Sequence, residues 1–137
     1  MTEISREEFG AMICEALKEH DLHAVLTGGS CVSVWTDNRY ESQDLDFIVM
    51  EFATNRQIAR ALQSIGMQQS MKNPRYFHHP DYPLDVEFPS GPLAAGDEAL
   101  DPAHAVERVT PRGTLRLLSP TDCVKDRLAN YVVWNDE

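Results

Sequence analysis

The stretch Val25-Leu26-Thr27-Gly28-Gly29-Ser30, followed after residues 31–43 by Asp44-Leu45-Asp46-Phe47-Ile48-Val49, decides how this chain is read. It predicts a strand, a glycine turn, a short helix, a loop and a second strand that opens with two carboxylates. Side chains alternate faces along a strand, so Asp44 and Asp46 share one side while Leu45, Phe47 and Val49 share the other. Two carboxylates on one face repel each other and cost free energy unless something cationic sits between them. A hard divalent cation such as Mg2+ suits the position, because it takes oxygen ligands and keeps places open for phosphates and water. The glycine turn complements it. Gly28 and Gly29 let the backbone approach a ligand closely. Ser30 can cap the next helix and offer a hydroxyl, and a helix N-terminus presents N–H groups to an anion such as phosphate.

Gly28-Gly29-Ser30 with Arg39-x-x-Ser42-x-Asp44-Leu45-Asp46 resembles the signature of the nucleotidyltransferase superfamily typified by DNA polymerase beta. It is most similar to the small bacterial nucleotidyltransferases of the toxin–antitoxin and abortive-infection type. Cys31 is a departure, since the family usually has a small residue such as Ala there. The resemblance extends over residues 25–49, 84–96 and 115–136. It implies an α/β (α+β) domain over residues 1–137, with a mixed, mostly antiparallel sheet flanked by helices.

Composition bounds the reading. The chain has 137 residues, enough for a real core. No apolar run approaches a membrane span, and the polar, acidic residues 1–8 do not read as a signal peptide. Cys14, Cys31 and Cys123 are widely spaced and odd in number, which predicts reduced thiols in the cytoplasm and no zinc pattern. The formal net charge is −10, from 12 basic and 22 acidic side chains. Such a surface repels a phosphate backbone, so an extended nucleic acid is not the expected partner. A nucleotide bridged by a metal stays compatible, because the ion reverses the local sign.

Along the chain, Ser5-Arg6-Glu7-Glu8 reads as a capping box, and Phe9, Met12, Ile13, Ala16 and Leu17 give the first helix a core face. Residues 24–27 form the first strand. Residues 31–36 are largely β-formers, yet a short helix is expected there, in line with the resemblance. Residues 53–65 form an amphipathic helix closed by Gly66. Residues 67–71 and 75–79 read as a hairpin, in which His78 and His79 face opposite sides and so make no metal pair. Residues 89–104 read as a surface loop, a lid or partner contact by its length. Residues 106–109 and 114–118 predict a final hairpin. Ser119-Pro120-Thr121-Asp122 starts the last helix, with Val124, Leu128, Tyr131 and Val132 inward.

Leu84-Asp85-Val86-Glu87-Phe88 alternates cleanly, so Asp85 and Glu87 share the face opposite the apolar residues. The resemblance implies a third carboxylate on a strand beside Asp44 and Asp46, and favours Glu87, with Asp85 second. It also implies that Arg39 meets a phosphate or locks its loop to a carboxylate, that Ser42 belongs to the nucleotide site, and that Lys125 contacts phosphate. A solvated helix lysine is the plainer reading of Lys125.

The implied activity is transfer of a nucleoside monophosphate from a nucleoside triphosphate such as ATP, with Mg2+ or Mn2+ held by Asp44, Asp46 and Glu87. The acceptor is a protein hydroxyl, a tRNA end or a small molecule, and a toxin or antitoxin is a possible protein partner. The rival readings are an inactive nucleotidyltransferase-fold binding or antitoxin module, and a nucleotide sensor without chemistry.

Overall fold

The computed structural model describes residues 4–36 and 44–135, with side chains placed as far as residue 129. In chain order the elements are α1 (Arg6–Lys18), β1 (Ala24–Thr27), α2 (Gly28–Trp35), β2 (Asp44–Val49), α3 (Asn55–Gln63), β3 (Gln68–Gln69), β4 (Tyr76–His79), β5 (Tyr82–Glu87), β6 (Ala94–Ala95), β7 (Glu98–Ala99), β8 (Val106–Thr110), β9 (Gly113–Leu117) and α4 (Pro120–Asn135).

Among the described residues, seven strands make one sheet in the order β3-β4-β5-β2-β1-β9-β8. Pairing is parallel at β2–β5 and β1–β9 and antiparallel elsewhere, so the sheet is mixed and mostly antiparallel, as expected. The central strands carry the aliphatic and aromatic residues. Leu26, Leu45, Phe47, Phe77, Val86, Leu115 and Leu117 are all essentially removed from water, and this burial drives the collapse of the sheet onto its helices.

On one face lies α1. Its capping box forms as the sequence predicts, with Ser5 Oγ accepting from the Glu8 amide and Glu8 from the Ser5 amide. Phe9, Ile13, Ala16 and Leu17 are buried, whereas Met12 is half-buried. Gly10 sets how close the helix comes: a Cβ there would lie 2.9 Å from Leu115 Cδ1 and 3.5 Å from Leu45 Cδ2. The helix therefore rests on the apolar side of β2 and β9. Beside it, α3 buries Ile58, Ala61 and Leu62 and is closed by Gly66 with φ +86°.

On the opposite face α2 and α4 pack against each other. Residues 31–35 do continue the helix despite their β-propensity, with Thr36 as its C-cap. Cys31, Ser33 and Val34 are buried there, and tertiary burial outweighs a weak local preference.

Several expectations are corrected. Residues 89–104 are more than a surface loop: they hold the β6–β7 hairpin and a 3-10 turn, and Leu93, Ala95 and Leu100 are buried. Val124 and Leu128 do not face inward, being 57% and 58% exposed, while Asp122 and Cys123 are buried. The reason is the partner: α4 docks on α2 through the Cys123 and Asp126 side of the helix, which turns the 124/128 stripe to solvent. The inward positions expected for Tyr131 and Val132 fall outside the described side chains. Among the described residues no helix is long and apolar enough to cross a membrane.

Candidate active site

Strand β1 leads straight into α2 without an intervening loop. Thr27 is the N-cap, but its hydroxyl does not cap the helix; it donates to the Asp46 carbonyl at 3.1 Å. Ser30 is consequently not a cap, because the helix already starts at Gly28 and Ser30 is its third residue. Its buried hydroxyl donates to the Asp44 carbonyl and ties α2 to the entry of β2. Gly28 has φ +68°, and a Cβ on it would lie 2.7 Å from Asp46 Oδ2. Only glycine takes this conformation at low cost, and only glycine leaves the carboxylate room.

Across β2 and β5 the register is Asp44 to Asp85, Leu45 to Val86 and Asp46 to Glu87. The four acids share one face of the sheet. Glu87 is the acid beside Asp46, and Asp85 stands beside Asp44 with His78 on its other side. Burial raises the Asp46 pKa first, and the charges of Glu87, Asp44 and Asp126 add to it, against a lowering by Arg127; the result is about 6. On β4, Tyr76 lies opposite Glu87 and hydrogen-bonds its carboxylate, which raises the tyrosine pKa.

Two contributors were not read from the sequence. Asp126 on α4 is half-buried, and its Oδ2 accepts the Gly28 N–H at 3.1 Å. Burial raises its pKa, against lowering by that hydrogen bond and by Arg127. Arg127 brings positive charge to both Asp46 and Asp126. The run Asp122, Cys123, Asp126 has the helical spacing that could have revealed this face. Lys125, the neighbour expected to meet phosphate, pairs instead with Glu98 Oε2 at 2.9 Å, well exposed. Arg39 and Ser42 lie outside the described residues.

The helix pair behind the turn forms an antiparallel ladder. Gly28 meets Asp126, the Cys31 thiol lies beside that of Cys123 and donates to the Leu118 carbonyl at 3.6 Å, and Trp35 Nε1 donates to the same carbonyl at 2.8 Å. Cys31, the departure from the family pattern, is thus a buried packing residue.

The donor set suits a hard cation in its chemistry: Asp44, Asp46 and Glu87 offer only carboxylate oxygens, and burial together with the charges of its neighbours leaves Asp46 reluctant to ionise. Among the described residues no three such groups are gathered to ligating distance. Asp44 is exposed and Glu87 half-buried.

No family model matches the chain, and no curated protein does. Solved structures do. The crystal structure of the lincosamide antibiotic adenylyltransferase LnuA with lincomycin bound superposes with a TM-score of 0.54 at 15% identity, over 98% of this chain and 99% of that one. The solution structure of the antibiotic-resistance factor ANT(2'')-Ia gives 0.50 at 16% identity, over 89% and 80%. The fold is that of the nucleotidyltransferases.

Proposed function

We propose that this chain is a metal-dependent nucleotidyltransferase that moves a nucleoside monophosphate from a nucleoside triphosphate to an acceptor hydroxyl. One observation carries the reading: the Asp46 carboxylate, itself level with Glu87, is pressed against the glycine that opens α2, leaving no room for a side chain between them. A phosphate seated on that turn lies next to the acids that would hold the cation needed to offset its charge.

Asp44, Asp46 and Glu87 would hold Mg2+ or Mn2+. When bound, such an ion neutralises charge on the phosphates and lowers the pKa of the acceptor hydroxyl. The Gly29 and Ser30 amides, lacking intrahelical acceptors at the start of α2, would bind phosphate oxygens. The acceptor oxygen forms its bond to the α-phosphorus as the bond to the pyrophosphate oxygen breaks, and the acceptor proton passes to a Glu87 oxygen. Tyr76 holds that carboxylate in place. Arg39 and Ser42 are proposed to reach the nucleotide from the segment before β2. Most of the rate comes from positioning and charge stabilisation.

The likeness to an enzyme named for adenylyl transfer to an antibiotic favours ATP as donor and a small hydroxylated molecule as acceptor. A protein hydroxyl, in a toxin–antitoxin setting, is the second acceptor class.

The test is incubation with α-labelled nucleoside triphosphates, Mg2+ or Mn2+, and panels of aminoglycoside, lincosamide and protein acceptors. Label on one acceptor class, lost in Asp46→Asn, is expected. No transfer and no pyrophosphate release with any donor and acceptor would overturn the reading.

A further inference from the structure

Helix α2 opens with the N–H groups of Gly28, Gly29 and Ser30, none of which has an acceptor within the helix. An N-cap side chain normally serves one of them. Here the N-cap residue does not, since the Thr27 hydroxyl is committed to the Asp46 carbonyl. The acceptor comes instead from far along the chain: Asp126 Oδ2, on α4, takes the Gly28 N–H at 3.1 Å.

That arrangement has a cost. Asp126 is half-buried and adds its charge to an already crowded set of acids, where it opposes ionisation of Asp46. A bare stabilising contact between two helices does not need a carboxylate at this point. The position is also fixed from behind. The Cys31–Cys123 contact lies one helical turn from Gly28 on one helix and from Asp126 on the other. Trp35 anchors the next turn of α2 to the Leu118 carbonyl. Together these contacts bring the Asp126 carboxylate to one backbone amide, that of the residue whose φ is +68° and whose Cα faces Asp46.

We infer that Asp126 is a positioning residue of the nucleotide site: by accepting the Gly28 N–H it holds the glycine turn against Asp46 and leaves the Gly29 and Ser30 amides as the phosphate donors. This rests on the nucleotidyl-transfer reading. Asp126 does not touch the phosphate; it sets the turn that does. An asparagine oxygen can accept the same hydrogen bond, whereas alanine cannot.

The experiment is titration of the full chain with a non-hydrolysable ATP analogue and Mg2+, with the Gly28 amide followed by 15N NMR. Asp126→Ala should weaken binding about tenfold, the equivalent of about 1.4 kcal/mol, and shift the Gly28 resonance. Asp126→Asn should stay within about twofold of wild type, since Asn and Asp serve equally as caps. Cys123→Ser, on the neighbouring rung, should lower the melting temperature and weaken binding far less than Asp126→Ala does. Unchanged binding in Asp126→Ala overturns the inference. So does tighter binding in that variant, which would make the carboxylate a competitor of phosphate. Equal loss in Cys123→Ser overturns it too, by reducing the effect to helix packing. A wild-type protein that binds no nucleotide removes the nucleotidyl-transfer reading and this role with it; wild-type binding with an unaffected Asp126→Ala removes this role alone.

Discussion

Asp46 lies level with Glu87 across the parallel pairing of β2 and β5, and Gly28 closes over Asp46 from the helix side. Adjacent strands stand about 4.8 Å apart, so two acids in register on one face repel unless one is protonated or a cation joins them. Burial first, and then the charges of Glu87 and its neighbours, raise the Asp46 pKa to about 6.

Replacing Asp46 by Asn should therefore do two opposite things. Metal-dependent nucleotide transfer should fall by at least about a hundredfold, as expected when one group stabilising transition-state charge is removed. The metal-free protein should become more stable at neutral pH, because the folded state no longer has to hold that charge. Allowing for its partial exposure, the gain is about 1 kcal/mol, read as a rise of about 4 °C in melting temperature. Calorimetry with and without Mg2+ checks both. A variant that keeps full metal-dependent activity removes Asp46 from the mechanism.

Glu87 and Asp85 separate by register. Glu87→Gln should lose activity to a similar degree as Asp46→Asn, while Asp85→Asn, beside Asp44 and away from Gly28, should retain most of it. Steady-state rates at saturating nucleotide decide the matter, and the reverse order would make Asp85 the third carboxylate.

The glycine turn admits separate tests of shape and ligand. Gly28→Ala forces a Cβ to within 2.7 Å of Asp46 Oδ2 at φ +68°. The left-handed conformation alone costs about 1–2 kcal/mol, so a clear drop in denaturation midpoint is expected. Gly29→Val places a β-branched side chain where the backbone must approach phosphate. It should weaken binding of ATP with Mg2+, measured by titration; unchanged affinity would move the phosphate site elsewhere.

A pH dependence follows from His23 and Glu51, which join the start of β1 to the residues after β2. Burial tends to raise the Glu51 pKa, but hydrogen bonds from the His23 amide, at 2.7 Å, and ring, at 2.6 Å, outweigh it and hold the value below the ordinary 4.5. A lowered folded-state pKa stabilises above the unfolded value, and that contribution disappears as the pH falls through the folded value. Both side chains are well exposed, which holds the effect to about 0.5–1 kcal/mol. Glu51→Gln should lower stability at pH 7 by that amount and flatten the acid limb of the stability curve, followed by chemical denaturation between pH 7 and pH 3.

What the sequence made legible was local. Ser5 and Glu8 announce a helix start through a pattern of fixed spacing, and the alternation at residues 84–88 puts Asp85 and Glu87 on one face before any pairing is known. Which of them meets Asp46 depends on strand register, and two acids on the same face satisfy the same alternation. The last helix misled for a related reason. Val124 and Leu128 form the apolar i, i+4 pair that normally points inward, but the surface offered by α2 is chosen by Cys31 and the Gly28 amide, and it selects Cys123 and Asp126. The spacing of Asp122, Cys123 and Asp126 marks a common helix face, but not the Gly28 amide 98 residues away that Asp126 meets.

That separation governs when the site can exist during synthesis. Gly28 leaves the ribosome long before Asp126, and the β1–β2 pairing can form around it while its amide still has only water to bind. The return path is provided by β9, whose Leu117 pairs with Leu26 on β1; once that strand is seated, α4 starts three residues later and has only to fold down along α2. The turn is thus finished last, by the helix that follows the final strand. A nascent chain stalled before residue 126 therefore carries its acids and its glycines without the hydrogen bond that joins the turn to α4.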